Sequence, residues 1–300
     1  MRDQKVSKFE GVPVPVGIDH IGRSTDFVEH DIDARWLMAY AASISDFNNN
    51  YMDTDIQKVC AHPVFPVCLE WPSILNTRAF FGNDLSAEES ARGVHAAHDL
   101  HLYRPILAGE TLRTNATLIG IEQIKPGAGY TLRLDTIDQT DTIICRTFQY
   151  GIYRNVAVNG ENYSCERSPD VPQPANLERV FDTISIREGA AHTYTECARI
   201  WNPIHTDRKF ARAAGLPDII LHGTSTLALA ISKLVDEFAN GEPRRIKRLG
   251  GKFSGMVFMP SQLDLISSNP VKSGDQSFVS FEVRQANGEP VITRGFFVFD

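Results

Sequence analysis

The chain has 300 residues, 42% hydrophobic and 22% charged, with a formal net charge of −7. Its length exceeds one ordinary core and points to two packed units, and its composition excludes a disordered or fibrous chain. The acidic balance excludes a broad nucleic-acid or anionic-membrane surface, because both need a net positive field.

At the N-terminus, Met1-Arg2-Asp3-Gln4-Lys5 leads into a mixed polar segment without a secretory pattern. No run approaches the ~18 apolar residues that cross a bilayer, and the final Phe296-Phe297-Val298-Phe299-Asp300 is no peroxisomal tripeptide. The five cysteines, Cys60, Cys68, Cys145, Cys165 and Cys197, are scattered and lack a C-x-x-C pair. They predict neither a disulfide framework nor a zinc site. A soluble protein of a reducing, cytoplasmic compartment is expected.

The first chain segment with internal structure is Tyr40-Ala-Ala-Ser-Ile-Ser-Asp46-Phe47-Asn48-Asn-Asn-Tyr51-Met-Asp53. Its counterpart is Tyr194-Thr-Glu-Cys-Ala-Arg199-Ile200-Trp201-Asn202-Pro203-Ile204-His205-Thr-Asp207. Tyr40 and Tyr194, Asn48 and Asn202, and Asp53 and Asp207 all share a separation of 154. Each segment is followed by a histidine before an apolar stretch, at His62 and at His222. A third block then repeats, from Leu102-Tyr-Arg104-Pro105 and from Phe253-Ser-Gly-Met. Three ordered blocks at nearly constant spacing mean duplication.

The alternating, β-branched runs at 95–103, 111–121, 130–137 and 143–154 predict antiparallel strands. The proline-rich stretch 168–175 is the natural linker, so units of 1–167 and 168–300 are expected. In the second unit, 221–238 is free of proline and carries apolar residues at helical spacing, with Gly241 to end it. Strands are predicted at 245–257, 262–267, 277–284 and 290–299. One long helix against several antiparallel strands, twice, is an α+β arrangement.

Asn202-Pro203-Ile204-His205 reads as a short rigid turn, since proline fixes its own backbone and holds Asn202 extended. Such a turn aims Asn202 and His205 together, and an imidazole titrating near neutrality is a candidate general base. Asp207 is placed to cap the helix that follows. His95, His98 and His101 are spaced to alternate faces of a strand, which argues against a metal site. No Gly-rich nucleotide loop, P-loop or G-x-S-x-G motif is present.

The stretch from Tyr194 to Gly223 resembles the signature of MaoC-like R-specific enoyl-CoA hydratases. It matches at Tyr194, Asn202, Pro203, Ile204, His205, Ala214-Gly215 and Ile220-Leu221-His222-Gly223. The first half resembles the degenerate first unit of the two-unit members, including His62-Pro63-Val64-Phe65 and the Arg104-Pro105 turn. The resemblance implies a double hot-dog fold, each unit a long helix wrapped by an antiparallel sheet. It also implies addition or removal of water across a 2,3-double bond of an acyl-CoA, with the CoA thioester as substrate and no other cofactor or metal.

On the same grounds His205 would be the acid/base, Asn202 would position the water, and the Gly223 N–H would hold the enolate oxygen. Tyr194, Trp201 and His222 would line the substrate. The basic run Arg244-Arg245-Ile246-Lys247-Arg248 would supply Arg245 and Lys247 to the CoA phosphates, and Arg199 would meet an acidic acyl group. No nucleic acid or membrane is implied as partner, and the chain is expected either alone or as a homodimer.

One departure stands out. The Ser-Gly-Asp of the signature reads Ala198-Arg199-Ile200 here, and isoleucine holds no water. The first copy has the opposite defect, with Asp46 at the acid position and Tyr51 in place of the histidine. Three explanations stay open. His205 works with Glu196, Asp207 or Asp218; or Asp46 meets it across the two copies; or hydration is lost and the pocket binds an acyl thioester or performs another proton transfer.

Overall fold

The computed structural model describes residues 16–82, 85–172 and 176–300. The first five residues and 173–175 of the expected linker lie outside the described residues.

The first copy runs β1 (Val16–Gly17), β2 (Val28–Ile32), α1 (Ala34–Ser43), α2 (Asn49–Met52), α3 (Pro66–Thr77) and α4 (Ala87–Ala91). It continues with β3 (Gly93–Leu102), β4 (Glu110–Ile124), β5 (Gly127–Ile137), β6 (Ile143–Arg154), β7 (Val158–Asn159) and β8 (Tyr163–Ser164). The second copy runs β9 (Arg179–Ile186), α5 (Ala190–Ala198), α6 (Arg208–Ala213) and α7 (Gly223–Phe238). Its strands follow as β10 (Ile246–Phe253), β11 (Ser261–Ser267), β12 (Val271–Ser273), β13 (Gln276–Gln285) and β14 (Pro290–Phe299).

All eight anticipated strands form, because their alternation lets one face bury against a helix while the other meets solvent. Six more form, of which the longest, β2 and β9, precede α1 and α5; β2 buries only Ile32. Helix α7 starts two residues later than its apolar run suggests. His222 is extended there (φ −61, ψ 136) and acts as the residue before the first turn. The helix closes where Gly241, at φ +70, returns its N–H to the Val235 carbonyl at 3.0 Å, a conformation that glycine adopts without strain.

One sheet of 12 strands runs through both copies in the order β2-β4-β5-β6-β3-β10-β14-β13-β11-β9, with β8 on β4 and β12 on β13. The order is palindromic about the β3–β10 joint, so the duplication read from spacing is also a duplication of topology. This is a double hot dog of the α+β class. The joint is antiparallel from His101↔Arg248 to Ala97↔Lys252. It is held tight by Gly250, where a Cβ would fall 2.1 Å from the His98 carbonyl oxygen. Arg248 also forks onto Asp99 at 2.8 and 2.7 Å. Burial pushes the Asp99 carboxyl up, but the hydrogen bonds from Arg248 and His101 outweigh it and hold the group below its ordinary range.

Helices α3 and α7 fill the two hollows, and one apolar cluster includes residues of both, from Phe65 and Leu69 to Leu227 and Ile231. Helix α1 packs on α5 across the pseudo-twofold, where Tyr40 and Tyr194 bring their hydroxyls to 3.4 Å. The expected alternation of the three histidines fails. A register irregularity between His95 and Ala97 in the β3–β6 pairing turns His95 onto the face of His98, with ring centroids 5.3 Å apart. An inserted residue of this kind resets the two-residue period. His101 stays on the other face, 3.2 Å from Asp99. No helix among the described residues is long and apolar enough to cross a membrane.

Candidate active site

Pro203–His205 forms one turn of 3-10 helix, entered by an extended Asn202 (φ −127, ψ 115) whose side-chain oxygen accepts the Ile204 N–H at 3.4 Å. Asp207 caps α6 by accepting the Lys209 and Phe210 N–H groups at 2.8 and 3.1 Å. The short loop is thereby fixed at both ends, as the proline and the aspartate lead one to expect.

The loop delivers His205 against the start of α7. Its Nδ1 lies 2.8 Å from the Ile220 carbonyl oxygen. A carbonyl can only accept, so Nδ1 carries the proton and Nε2 keeps its lone pair. Among the described residues Nε2 has no hydrogen-bond partner, and it is not among the enclosed polar atoms. Burial lowers the His205 pKa to about 4, with the Ile220 carbonyl opposing, so the ring is a neutral base at physiological pH.

His205 stacks on His222 with ring centroids 3.6 Å apart and planes at 25°. His222 is 2% exposed. Its Nε2 reaches the Thr195 hydroxyl at 3.3 Å, and its Nδ1 is buried without a partner. Burial and the neighbouring His205 keep it far below its usual pKa. Tyr194 donates to the Thr224 hydroxyl at 3.1 Å and lies 4.9 Å, ring to ring, from His222.

Gly223 opens α7. The first amides of a helix lack intrahelical acceptors and sit at the positive end of its dipole. A Cβ on Gly223 would lie 3.0 Å from Cδ1 of Phe253, so the glycine lets that ring pack close to the helix start. His205, His222, Tyr194 and Gly223 are thus gathered around one helix start, with Asn202 on the turn that carries His205. Thr195, Thr224 and Phe253 join them. Thr195 and Thr224 are the chain neighbours of Tyr194 and Gly223, whereas only the tertiary fold brings Phe253 to the helix start.

The carboxylates are placed elsewhere. Glu196 lies 3.4 Å from the Trp201 indole nitrogen, Asp207 caps α6, and Asp218 pairs with Arg208 at 3.0 Å and accepts the Ile219 N–H. Ile200 is buried at the position where the resemblance calls for an aspartate. Asp46 belongs to the first copy, where it accepts the Asn48 N–H at 3.1 Å and helps raise the pKa of Tyr51, itself driven up mainly by burial. Among the described residues no hydrogen bond or ion pair joins Asp46 to His205.

Four residues expected to contact substrate are placed otherwise. Arg199, at φ +58, lays its guanidinium 3.8 Å over the Trp36 ring rather than toward the histidines. Trp201 stays 59% exposed. Arg245 donates to the Asp300 main-chain oxygen and Lys247 pairs with the Asp300 carboxylate at 2.8 Å. Lys247 is six residues from Phe253 along β10, about 20 Å at strand spacing. It borders instead a cleft of about 820 Å³ with Arg248, Lys272 and Tyr103. The candidate site lies at the other end of the strand.

Residues 171–287 match the MaoC like domain, and residues 19–146 match the FAS1-like dehydratase domain region. The chain is 22% identical to 3-hydroxyacyl-thioester dehydratase X of Mycobacterium tuberculosis over 94% of its own length and 92% of that protein. It is 26% identical to the peroxisomal enoyl-CoA hydratase 2 of Arabidopsis thaliana over 55% of its own length. It spans 56% of that plant protein and 27% of the peroxisomal multifunctional enzyme type 2 of mouse. The crystal structure of a MaoC-like dehydratase from Phytophthora capsici superposes with a TM-score of 0.81 at 18% identity, covering 95% of this chain and 98% of that one. These likenesses place the fold among double hot dogs. The second copy thus carries a MaoC-like domain and the first a FAS1-like dehydratase region.

Proposed function

We propose that this protein is an acyl-thioester hydratase/dehydratase, interconverting a 2,3-enoyl thioester and its 3-hydroxyacyl form. The observation that carries the reading is the His205 imidazole, tautomer fixed by the Ile220 carbonyl, with a free Nε2 beside the Gly223 start of α7. The chain's likeness to the mycobacterial 3-hydroxyacyl-thioester dehydratase X and to the plant enoyl-CoA hydratase 2 supports the same class.

In hydration, His205 Nε2 takes a proton from water as the water oxygen bonds to C3 and the double-bond electrons move onto the thioester carbonyl. The Gly223 N–H faces that oxygen and stabilises the enolate. The imidazolium then returns the proton to C2. Asn202 has an unengaged side-chain amide to orient the water. The reverse sequence eliminates it. One base serves both proton transfers, which suits a cluster lacking a carboxylate partner.

The buried Ile200 favours a second reading, thioester binding without hydration. Incubating the purified chain with trans-2-enoyl-CoAs of several chain lengths separates the two. Formation of the 3-hydroxyacyl-CoA by mass spectrometry supports the lyase. Saturable binding without product across the panel overturns it in favour of the second reading.

A further inference from the structure

Adding water asks more of a site than moving a proton does. A water held for attack needs roughly two to four polar partners. One takes its proton, and the others aim its lone pair at C3. A carbon acid needs a base and a donor for the enolate oxygen, and little else.

The groups near His205 Nε2 meet the second requirement in full and the first only in part. The Ile220 carbonyl is taken by His205 Nδ1, the Thr224 hydroxyl by Tyr194 and the Thr195 hydroxyl by His222. Glu196, Asp207 and Asp218 face the Trp201 indole, the α6 amides and Arg208. A water therefore finds the Asn202 amide, which donates, while the Asn202 oxygen already accepts the Ile204 N–H.

Ile200 withholds a further partner. It is 6% exposed and shares an apolar cluster with Tyr194, Leu221 and Leu227. Its N–H is spent on the Thr195 carbonyl at 3.1 Å. Its main chain lies close enough to His222 to oppose the burial that lowers that ring's pKa. His222 in turn stacks on His205 at 3.6 Å, so an apolar side chain is anchored one ring away from the base.

We infer that this site also isomerises 3-enoyl thioesters to 2-enoyl thioesters, and that Ile200 tilts it from hydration toward this proton shift. The inference rests on the reading of the α7 start as a thioester site with His205 as its base. His205 Nε2 takes a proton from C2, and the C–H electrons form a C1–C2 double bond as charge moves onto the thioester oxygen at the Gly223 N–H. The imidazolium then returns the proton to C4. The C3–C4 double-bond pair makes the new C–H bond, the C1–C2 pair becomes the C2–C3 double bond, and the carbonyl is restored. No water, oxidant or second base is consumed. C2 and C4 are two bonds apart, within reach of one imidazole, and conjugation with the carbonyl favours the product.

The test gives the purified chain trans-3-enoyl-CoAs of several lengths, whose isolated double bond must move before water can add. The conjugated product is read by ultraviolet absorbance and chromatography, with any 3-hydroxyacyl-CoA added to the total. The wild type is expected to exceed His205→Ala by about 10² or more in kcat/KM, the scale of a positioned acid/base. With deuterium at C2, part of the label should reappear at C4. Ile200→Asp should move the ratio of isomerisation to hydration about tenfold toward hydration, the worth of one charged hydrogen bond to the water. Thermal melting shows whether that variant folds; if it does not, the wild type and His205→Ala still decide the activity.

Conversion by the wild type no faster than by His205→Ala overturns the inference. So does complete loss of the label to solvent, or an unchanged ratio in a folded Ile200→Asp. Hydration of 2-enoyl-CoAs without isomerisation refutes this inference and leaves the lyase reading standing, and isomerisation without hydration does the reverse.

Discussion

Set side by side, the two copies show how one fold divides labour after duplication. At the same place after α1 and α5, the first copy has Asp46 with Tyr51 and the second has Ile200 with His205. The first copy bonds its motif to the scaffold. The Asn48 amide donates to the Gly241 carbonyl at 2.7 Å, and Tyr51 is fully buried. The second leaves its Asn202 amide and the His205 Nε2 unengaged. Chemistry needs groups with spare hydrogen-bonding capacity, and only the second copy keeps them at this position. The first copy keeps spare capacity at the buried His98 ring instead.

The contrast can be broken most decisively at its active end. His205→Ala is expected to lower kcat/KM for enoyl-CoA hydration by about 10³, the range of a lost general base, while thioester affinity changes little. The equivalent change in the first copy, Tyr51→Phe, should leave the rate within twofold. Comparable losses from both in steady-state assays would mean that the copies are not divided in this way.

The joint comes next. Arg248→Ala strands Asp99, whose side chain is 4% exposed, and should destabilise the fold by about 3 kcal/mol, the scale of a broken buried pair. A shift of that size in urea unfolding checks it, and an unchanged midpoint would mean that the copies are held by the strands alone.

Acidity sharpens the comparison of the interiors. Burial raises Glu70 to about 7, with the Thr147 bond opposing. A carboxyl raised on folding stabilises fully below its ordinary value, and the benefit is lost as pH climbs through 7. Glu70→Gln should therefore gain up to about 3 kcal/mol over the wild type at pH 8.5 and little at pH 4.5. Burial lowers His62 and His98 to about 4, with Asp46 and Asp99 respectively opposing. Groups of this kind remove stability as pH falls from 6.5 toward 4 and together outweigh the single Glu70, so wild-type stability should peak near pH 7. Denaturant titrations across pH test both arms, and a flat response in Glu70→Gln and wild type alike would refute the buried acid.

The smallest expected effect is also in the first copy. The Tyr51 hydroxyl is enclosed without a partner, so Tyr51→Phe should raise stability by about 1 kcal/mol, read as a higher melting temperature.

Much of this was legible in the chain. The common separation of 154 exposed the duplication, and alternation placed β3 to β6, β10, β11, β13 and β14 because those strands bury one face. Strands β2 and β9 escaped notice because they lie at the sheet's ends, where pairing on one side alone imposes little pattern; β2 reads Val-Glu-His-Asp-Ile. At the site, proline and the following histidine announced the turn. The Ile220 carbonyl did not, since a main-chain acceptor leaves no mark on residue type. The expected roles of Arg199, Arg245 and Lys247 illustrate the opposite error. Charge shows in a sequence, but its nearest partner, Trp36 or Asp300, is a matter of folding. The His95 and His98 pairing was hidden for a similar reason, because a one-residue irregularity cannot be read from spacing.

The palindromic sheet has a practical corollary for anyone cutting this gene in two. Severed between β8 and β9, each half would be left with a bare inner border, β3 in one and β10 in the other, with its amides and carbonyls unanswered and a glycine-smoothed surface ready to accept any strand. Separately produced halves should clump or reassociate into a nicked whole, and an autonomous, monodisperse fragment is the product least to be expected.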